Sequence, residues 1–383
     1  MEWEGVKVAL VHEYFATLGG SEEVALALGQ LFPKAPMFTL LADSRHLHGG
    51  VLEGTDVHTS FLQHLPGARK RYWLYYPLFP RAVESLDLRG YDLVISSSHG
   101  WVKNIRTGPG SLHICYCHTP LRYAWEGIDP GLPLDRLLRP LTRALMGYVR
   151  SWDRRATDRV HIFVANSREV QARLQRCYGR PAHVVYPPID TTSFRPGEEQ
   201  GDYFLAVSRL VPYKRVALAV EAFTQLGLPL KVVGTGRAMR DLQKIAGPSV
   251  ELLGWQSRQR LGELYAGCRA FILPGKEDLG MTALEAQSAG RPVIAFGEGG
   301  ALETVISGET GLHFTPQSVE ALVQAVRDFQ GMEWDKERIR GHALQFDRSV
   351  FLREMDRIVR KAWAQHRGEA PQPSASRTGQ ALS

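Results

Sequence analysis

Residues 273–305 read LPGKEDLGMTALEAQSAGRPVIAFGEGGALETV and set two glutamates, Glu277 and Glu285, eight positions apart with Gly280 between them. An apolar strand precedes the stretch, and Gly280, Met281 and Thr282 open a helix that carries Leu284, Glu285 and Ala286. A glycine at a helix start leaves backbone N–H groups free at the positive end of the dipole, which suits phosphate oxygens. Glu285, in the first turn or so, is placed to accept hydrogen bonds from ribose hydroxyls. Glu277, ahead of the helix, is placed to hold a sugar hydroxyl at the crevice floor. A plainer role also fits, because a glutamate in a first turn stabilises the dipole by about 0.3–1 kcal/mol without any ligand.

Cations stand at a second strand end. In YFLAVSRLVPYKR, Arg209 follows the strand at once, and Lys214 and Arg215 come shortly after. In that place they can neutralise a diphosphate, although a solvated basic loop would look the same. YFATLGGSEEV puts Gly19 and Gly20 before a helix, where the backbone can come close to a phosphate or a sugar, or simply turn tightly. HICYCHTPLRYAWEG ends a strand on His118, able to hydrogen-bond a sugar hydroxyl or orient an acceptor. His12 and His99 also lie at strand ends, and His113 lies within a strand. No histidine pair has an H-x-x-x-H spacing, so no protein-bound metal is expected.

These groups need a frame. In the first half VKVALVHEY, MFTLLA, YDLVISSS, SLHICYCH, VHIFVANS and HVVYPP read as strands whose near-continuous apolar character suits parallel strands buried on both faces. After the Pro- and Gly-rich YPPIDTTSFRPGEEQG the alternation restarts with DYFLAVSRL, LKVVGTG, VELLGWQ, RAFILPG and RPVIAFG. Two doubly wound α/β domains follow, over residues 1–187 and 188–347, with ligands expected in the crevice at the strand ends. Residues 348–366 are expected to form a further helix. Residues 367–383 are poor in apolar side chains and are expected to be disordered.

At 383 residues, 44% hydrophobic and 22% charged, the chain is of a soluble globular kind with two domains as the default. No run approaches the roughly 20 apolar residues of a membrane span. The start MEWEGVKVALVHEY does not resemble a signal peptide. Four cysteines are too few for a disulfide scaffold, and Cys115 and Cys117 suit neither zinc nor a redox pair, so a cytoplasmic location is expected. Residues 1–185 hold 22 Lys and Arg against 17 Asp and Glu, so most of the net +6 lies in the first half. Such a half can meet nucleic acid, an anionic membrane or a phosphorylated substrate. RKRYWLYYPLFPR, residues 69–81, mixes Arg69, Lys70 and Arg71 with Tyr72, Trp73, Tyr75, Tyr76 and Phe79, and RALMGYVRSWDRR ends a second basic run at Arg155. Two placements fit: a membrane interface or lipid-diphosphate acceptor, or an aromatic helix packed in the first domain with its cations solvated.

The segments SRLVPYKR, GKEDLGMTALEAQSAGRPVIAFGEGGALETV and GETGLHF resemble the donor-binding half of glycosyltransferase family 4. GGSEEV, FLQHLPG, YDLVISSSHG and CYCHTPLRYAWE extend the resemblance to the first half, so that it covers nearly all of residues 7–366. It implies the GT-B architecture, two facing Rossmann-like domains with parallel sheets and a deep interdomain cleft, the first taking the acceptor and the second the nucleotide sugar. The helix 348–366 is then expected to pack back on the first domain. By that resemblance Arg209 and Lys214 match the cations on the donor diphosphate, and Glu277 and Glu285 the two glutamates of the E-x7-E motif. Gly280 and Met281, with Thr282 beside them, match the phosphate-binding helix start. Gly19 and Gly20 match the glycine loop near the donor, and His118 the histidine near the transferred sugar. Met281 and Ala283 stand where the family more often has a shorter apolar residue and a proline, and GTGRAM where it commonly has Asp-Gly-Pro.

The activity implied is retaining transfer of a hexose without a metal or other cofactor. CHTPLRYAW resembles the subset that includes bacterial mannosyltransferases of O-antigen and exopolysaccharide assembly, which implies mannose from GDP-mannose and a glycan or polyprenyl-diphosphate-linked acceptor, with no nucleic-acid partner. If residues 69–81 take the membrane placement, the otherwise cytoplasmic protein visits the inner face of the cytoplasmic membrane as a peripheral enzyme. A UDP-sugar enzyme is the alternative within the family, and a non-catalytic sugar-nucleotide-binding protein a remoter one. A nicotinamide-dependent oxidoreductase would need a G-x-G-x-x-G fingerprint, of which GTGRAM holds two glycines.

Overall fold

The structure is a computed structural model that describes residues 3–16, 18–47, 49–125, 139–197 and 201–368; the expected disordered tail lies, from residue 369 on, outside them. The first sheet holds β1 (Val8–His12), β2 (Met37–Thr39), β3 (Val57–Thr59), β4 (Leu93–Ser98), β5 (Leu112–Cys117), β6 (Ile162–Ala165) and β7 (Ala182–Val184). Their spatial order is β3-β2-β1-β4-β5-β6-β7, parallel throughout. The second sheet holds β8 (Phe204–Val207), β9 (Leu230–Val233), β10 (Val250–Gly254), β11 (Phe271–Leu273), β12 (Val293–Phe296) and β13 (Gly311–Phe314), in the parallel order β10-β9-β8-β11-β12-β13.

The order in which strands are added reverses between β1 and β4 in one sheet and between β8 and β11 in the other. At such switch points neighbouring connections leave to opposite faces and open a crevice at the C-terminal strand ends. β1, β4 and β5 are buried along their whole length, which their apolar runs require of parallel strands covered on both faces. Two strands are missing from the sequence reading. β3 is a three-residue, partly exposed edge strand, and β13 begins at a glycine, so neither shows an apolar run.

The helix Arg348–His366 begins at Asp347, whose side chain accepts from the Ser349 N–H. Phe351, Met355, Ile358, Val359 and Ala362 recur at helical period and bury one stripe. That stripe joins the first sheet's core with Leu10, Ile95, Ile114 and Tyr116. The chain therefore crosses between domains twice at one place. There the Ile189 N–H donates to Phe346 O at 3.0 Å and the Arg348 N–H to Ile189 O at 3.1 Å.

The aromatic stretch takes the packed placement for most of its rings. Tyr72, Tyr75 and Tyr76 lie against a core that includes the fully buried Phe79 and Trp101, while Arg69, Arg71 and Leu74 are exposed. The side chains of Lys70 and Trp73 are outside the described set. In the helix Arg139–Ala156, Trp152 is buried and Tyr148, Arg150, Arg154 and Arg155 are exposed. Among the described residues no helix is long and apolar enough to cross a membrane.

Candidate functional site

The residues matched to the donor site lie just beyond C-terminal strand ends around the two switch points, or on the helix that follows. β8 delivers Arg209, whose guanidinium donates to the Tyr213 hydroxyl at 3.0 Å. The short turn Pro212–Lys214 then brings the Lys214 ammonium onto the Glu277 carboxylate as a largely shielded ion pair. Gly275 permits the approach, since a Cβ there would lie 2.8 Å from Lys214 O.

After β11 the chain runs through Glu277 and Asp278 to Gly280, which has a left-handed φ of 94° and caps the helix Met281–Ser288. Only glycine takes that conformation at little cost. Met281 and Thr282 supply the first helical N–H groups. Glu285 is the fifth helical residue, just past the first turn, so it does not serve the dipole at the helix start. It accepts instead from the Tyr265 hydroxyl at 2.7 Å, and burial pushes its carboxyl up despite that bond. Gly299 and Gly300 back the loop: the Gly300 N–H donates to Glu277 O at 2.9 Å, and a Cβ on Gly299 would lie 2.5 Å from that oxygen. Nothing in the spacing of GEGGAL announced this role.

The opposite domain brings Gly19 and Gly20 to the start of the helix Gly20–Leu31. A Cβ on Gly20 would sit 2.5 Å from Met281 Sδ, so the two domains touch where the phosphate-binding helix begins. His118, after β5, is buried and lies 2.9 Å from Ser97 Oγ, which in turn is 3.2 Å from His12 Nδ1. Burial, with His99 and His12 nearby, holds the His118 imidazole well below its ordinary value, so it is neutral at physiological pH.

The His12 Nε2 faces Glu22 Oε1 at 3.4 Å. Burial would raise the Glu22 carboxyl, but the hydrogen bond and charge of His12 outweigh it and lower it. His99 completes a group of three whose ligand atoms lie within 4.8 Å of one another. That grouping joins β1, the following helix and the end of β4, so no local histidine spacing could display it.

Side chains that the sequence did not single out cross the cleft. Arg122 and Arg173, of the first domain, both donate to Asp278 of the second. Glu303 accepts from the N–H groups of Arg168 and Glu169 at 2.9 and 3.0 Å. On the other side Arg258 joins Glu23 at 3.1 Å to Asp190 at 2.7 Å.

A family model described as Glycosyltransferase Family 4 matches residues 18–193, and one described as Glycosyl transferases group 1 matches residues 189–342. The chain belongs to glycosyltransferase family 4. As a family 4 glycosyltransferase it is a transferase enzyme with two Rossmann-like α/β domains in the GT-B arrangement. It is 29% identical to the GDP-mannose-dependent alpha-(1-6)-phosphatidylinositol monomannoside mannosyltransferase of Mycobacterium tuberculosis, over 56% of this chain and 67% of that protein. It is 32% identical to the D-inositol 3-phosphate glycosyltransferase of Rhodococcus erythropolis over 39% of this chain, and spans 41% of that relative's length. Among solved structures, Anabaena HepE with UDP-glucose superposes with a TM-score of 0.70 at 17% identity, over 92% of this chain and 99% of that one. The sucrose-phosphate synthase of Thermosynechococcus elongatus gives 0.68 at 18%, over 94% and 99%. At such identities the superpositions speak to the fold.

Proposed function

We propose that this family 4 enzyme transfers a hexose with retention, mannose from GDP-mannose, to a glycan or lipid-linked oligosaccharide in cell-surface polysaccharide synthesis. The observation that carries the donor half is the Lys214–Glu277 ion pair beside Arg209 and the Gly280 helix start, with His118 on the facing domain. The GDP-mannose dependence of the mycobacterial relative favours that sugar nucleotide.

Breaking the anomeric C–O bond builds positive charge on the sugar and negative charge on the diphosphate. Arg209, Lys214 and the N–H groups at Met281 and Thr282 stabilise the leaving group where the closed cleft excludes water. Glu277 orients the sugar through its hydroxyls and is no nucleophile. Glu285 takes the ribose, and His118, neutral, accepts or donates at a sugar hydroxyl. The acceptor hydroxyl attacks from the face the diphosphate leaves and passes its proton to a donor phosphate oxygen, which gives retention without a glycosyl–enzyme bond. No metal or cofactor enters this scheme, so turnover is expected to survive a chelator.

A UDP-sugar is the second reading, favoured by the UDP-glucose held by the structurally similar HepE. Incubation with GDP-mannose, UDP-glucose, UDP-galactose and UDP-N-acetylglucosamine decides between them by which is hydrolysed or raises the melting temperature. If none does either, the donor assignment fails. Exposed Leu74 beside Arg69 and Arg71 supports a peripheral site on the anionic inner leaflet. Flotation with anionic liposomes at low salt tests it, and protein left at the bottom of the gradient ends the idea.

A further inference from the structure

Asp278 follows Glu277 directly, yet the two carboxylates serve different domains. Glu277 pairs with Lys214 of its own domain, whereas Asp278 Oδ1 accepts from Arg173 Nη1 at 2.6 Å and from the Arg122 guanidinium across the cleft. Arg173 Nη1 also donates to Thr119 Oγ1 at 2.9 Å, and Arg122 Nε approaches the same oxygen at 3.4 Å. Thr119 is the residue after His118. The two residues placed over the donor sugar, one from each domain, are thus each a single peptide bond from one ionic clasp.

The helix Arg168–Tyr178, which carries Arg173, is gripped a second time by the same domain. Glu303 accepts from its first two N–H groups and also from the Tyr186 hydroxyl at 3.1 Å. Arg173, Arg122 and Asp278 are about four-fifths or more shielded from water, so their attraction is screened far less than that of a surface pair. Glu169, 3.2 Å from Arg173 Nη2, balances the second guanidinium. Burial alone would raise the Asp278 carboxyl, but Arg122 and Arg173 hold it below its ordinary value.

We propose that Asp278 is a positioning residue that, through Arg122 and Arg173, sets Glu277 and His118 in register over the donor sugar only when the two domains are shut. For its kinetic part this rests on the donor reading given above. Arg209, Lys214, Glu285 and the Gly280 helix start lie within the second domain, and the first domain adds only the backbone of Gly19 and Gly20 beside Met281, so the clasp bears chiefly on the transfer step and little on nucleotide affinity.

The test uses the full chain. Asp278→Asn keeps the shape and removes the charge. With GDP-mannose as donor its kcat is expected to fall about 10- to 100-fold, the scale of an ångström of misplacement. Its affinity for GDP by calorimetry should change less than about threefold, since those contacts are retained. Arg173→Lys, retaining charge without the fork, should fall between. Arg122→Ala combined with Asp278→Ala should be less damaging than the product of the single losses, because both act on one unit. Small-angle scattering should show Asp278→Ala with a larger radius of gyration than wild type. A kcat within twofold of wild type in both Asp278 variants overturns the proposal, as does an equal loss of GDP affinity, kcat and melting temperature. If wild type turns over none of the four nucleotide sugars, the donor reading fails by itself. The scattering comparison then judges the clasp, and an unchanged radius sinks it.

Discussion

The Tyr265 hydroxyl donates to Glu285 Oε2 at 2.7 Å from a ring with no exposure to solvent. The bond fixes one carboxylate oxygen and leaves the other available to a ligand. Burial drives the phenol far above its ordinary value, so it stays a donor throughout the working range. Glu285→Ala should raise the donor KM by about 10- to 100-fold, the loss of one or two charge-assisted hydrogen bonds. Tyr265→Phe should raise it about threefold to tenfold and move the acid limb of the pH–kcat/KM profile upward, since Glu285 loses the donor that opposes its desolvation. An unmoved profile would mean the hydroxyl only fills space.

Lys214 is expected to matter most when the diphosphate departs. Lys214→Ala should cut kcat about 100- to 1000-fold, as removal of a preorganised group facing developing negative charge does. Lys214→Arg should recover part of it. Initial rates with GDP-mannose measure both, and a change confined to KM would assign Lys214 to ground-state binding.

Gly20 and Met281 meet across the cleft. Gly20→Val places branched carbons where even a Cβ would lie 2.5 Å from Met281 Sδ, so turnover should fall about tenfold or more. Met281→Ala in the same chain should restore a substantial part, because the thioether is what gives way. Lack of rescue in the double variant would show that the glycine is required by something other than this contact.

Burial depresses His113 to about 3 and His118 well below its ordinary 6.5. The folded state then binds fewer protons than the unfolded chain at acid pH. Stability is fully present above about 6.5 and is lost as pH falls from there toward the folded values, at about 1.4 kcal/mol per pH unit for each such histidine. Urea midpoints between about pH 7.5 and 4.5 should fall steeply, and His113→Asn should flatten the slope by one histidine's share. A midpoint independent of pH would contradict this.

Lys103 and Asp153 form an ion pair at 2.6 Å with neither side chain exposed, and Asp153 also accepts from Asn104, Trp125 and Tyr178. Asp153→Ala leaves a buried ammonium without its partner and should cost about 3–5 kcal/mol. Denaturant unfolding checks it, and a loss under about 1 kcal/mol would mean that water replaces the carboxylate.

The strands of both sheets were legible wherever an apolar run of about four or more residues was buried on both faces. β3 and β13 were not, since an edge strand needs no such run. Arg209, Lys214, Glu277 and Gly280 could be picked out because each lies at a strand end or helix start that a short stretch reveals, and Glu285 by its spacing of eight from Glu277. The carboxylate roles were less legible: Glu285 fell in the second helical turn, and Asp278, one residue from a chosen glutamate, drew no notice.

By itself the sequence determined the two α/β units and the family, and it marked the candidate residues at strand ends, because strand periodicity and loop composition are local and survive without any knowledge of docking. Tertiary structure alone decided which groups meet across the cleft. Asp278 finds Arg122 at a separation of 156 residues and Arg173 at 105, and Glu303 caps a helix 134 and 135 residues away. His12, Glu22 and His99 gather from three elements. The contacts across the cleft depend on how two finished domains pack, and the histidine cluster on how elements pack within the first, and both balance many small terms that no short stretch of chain encodes.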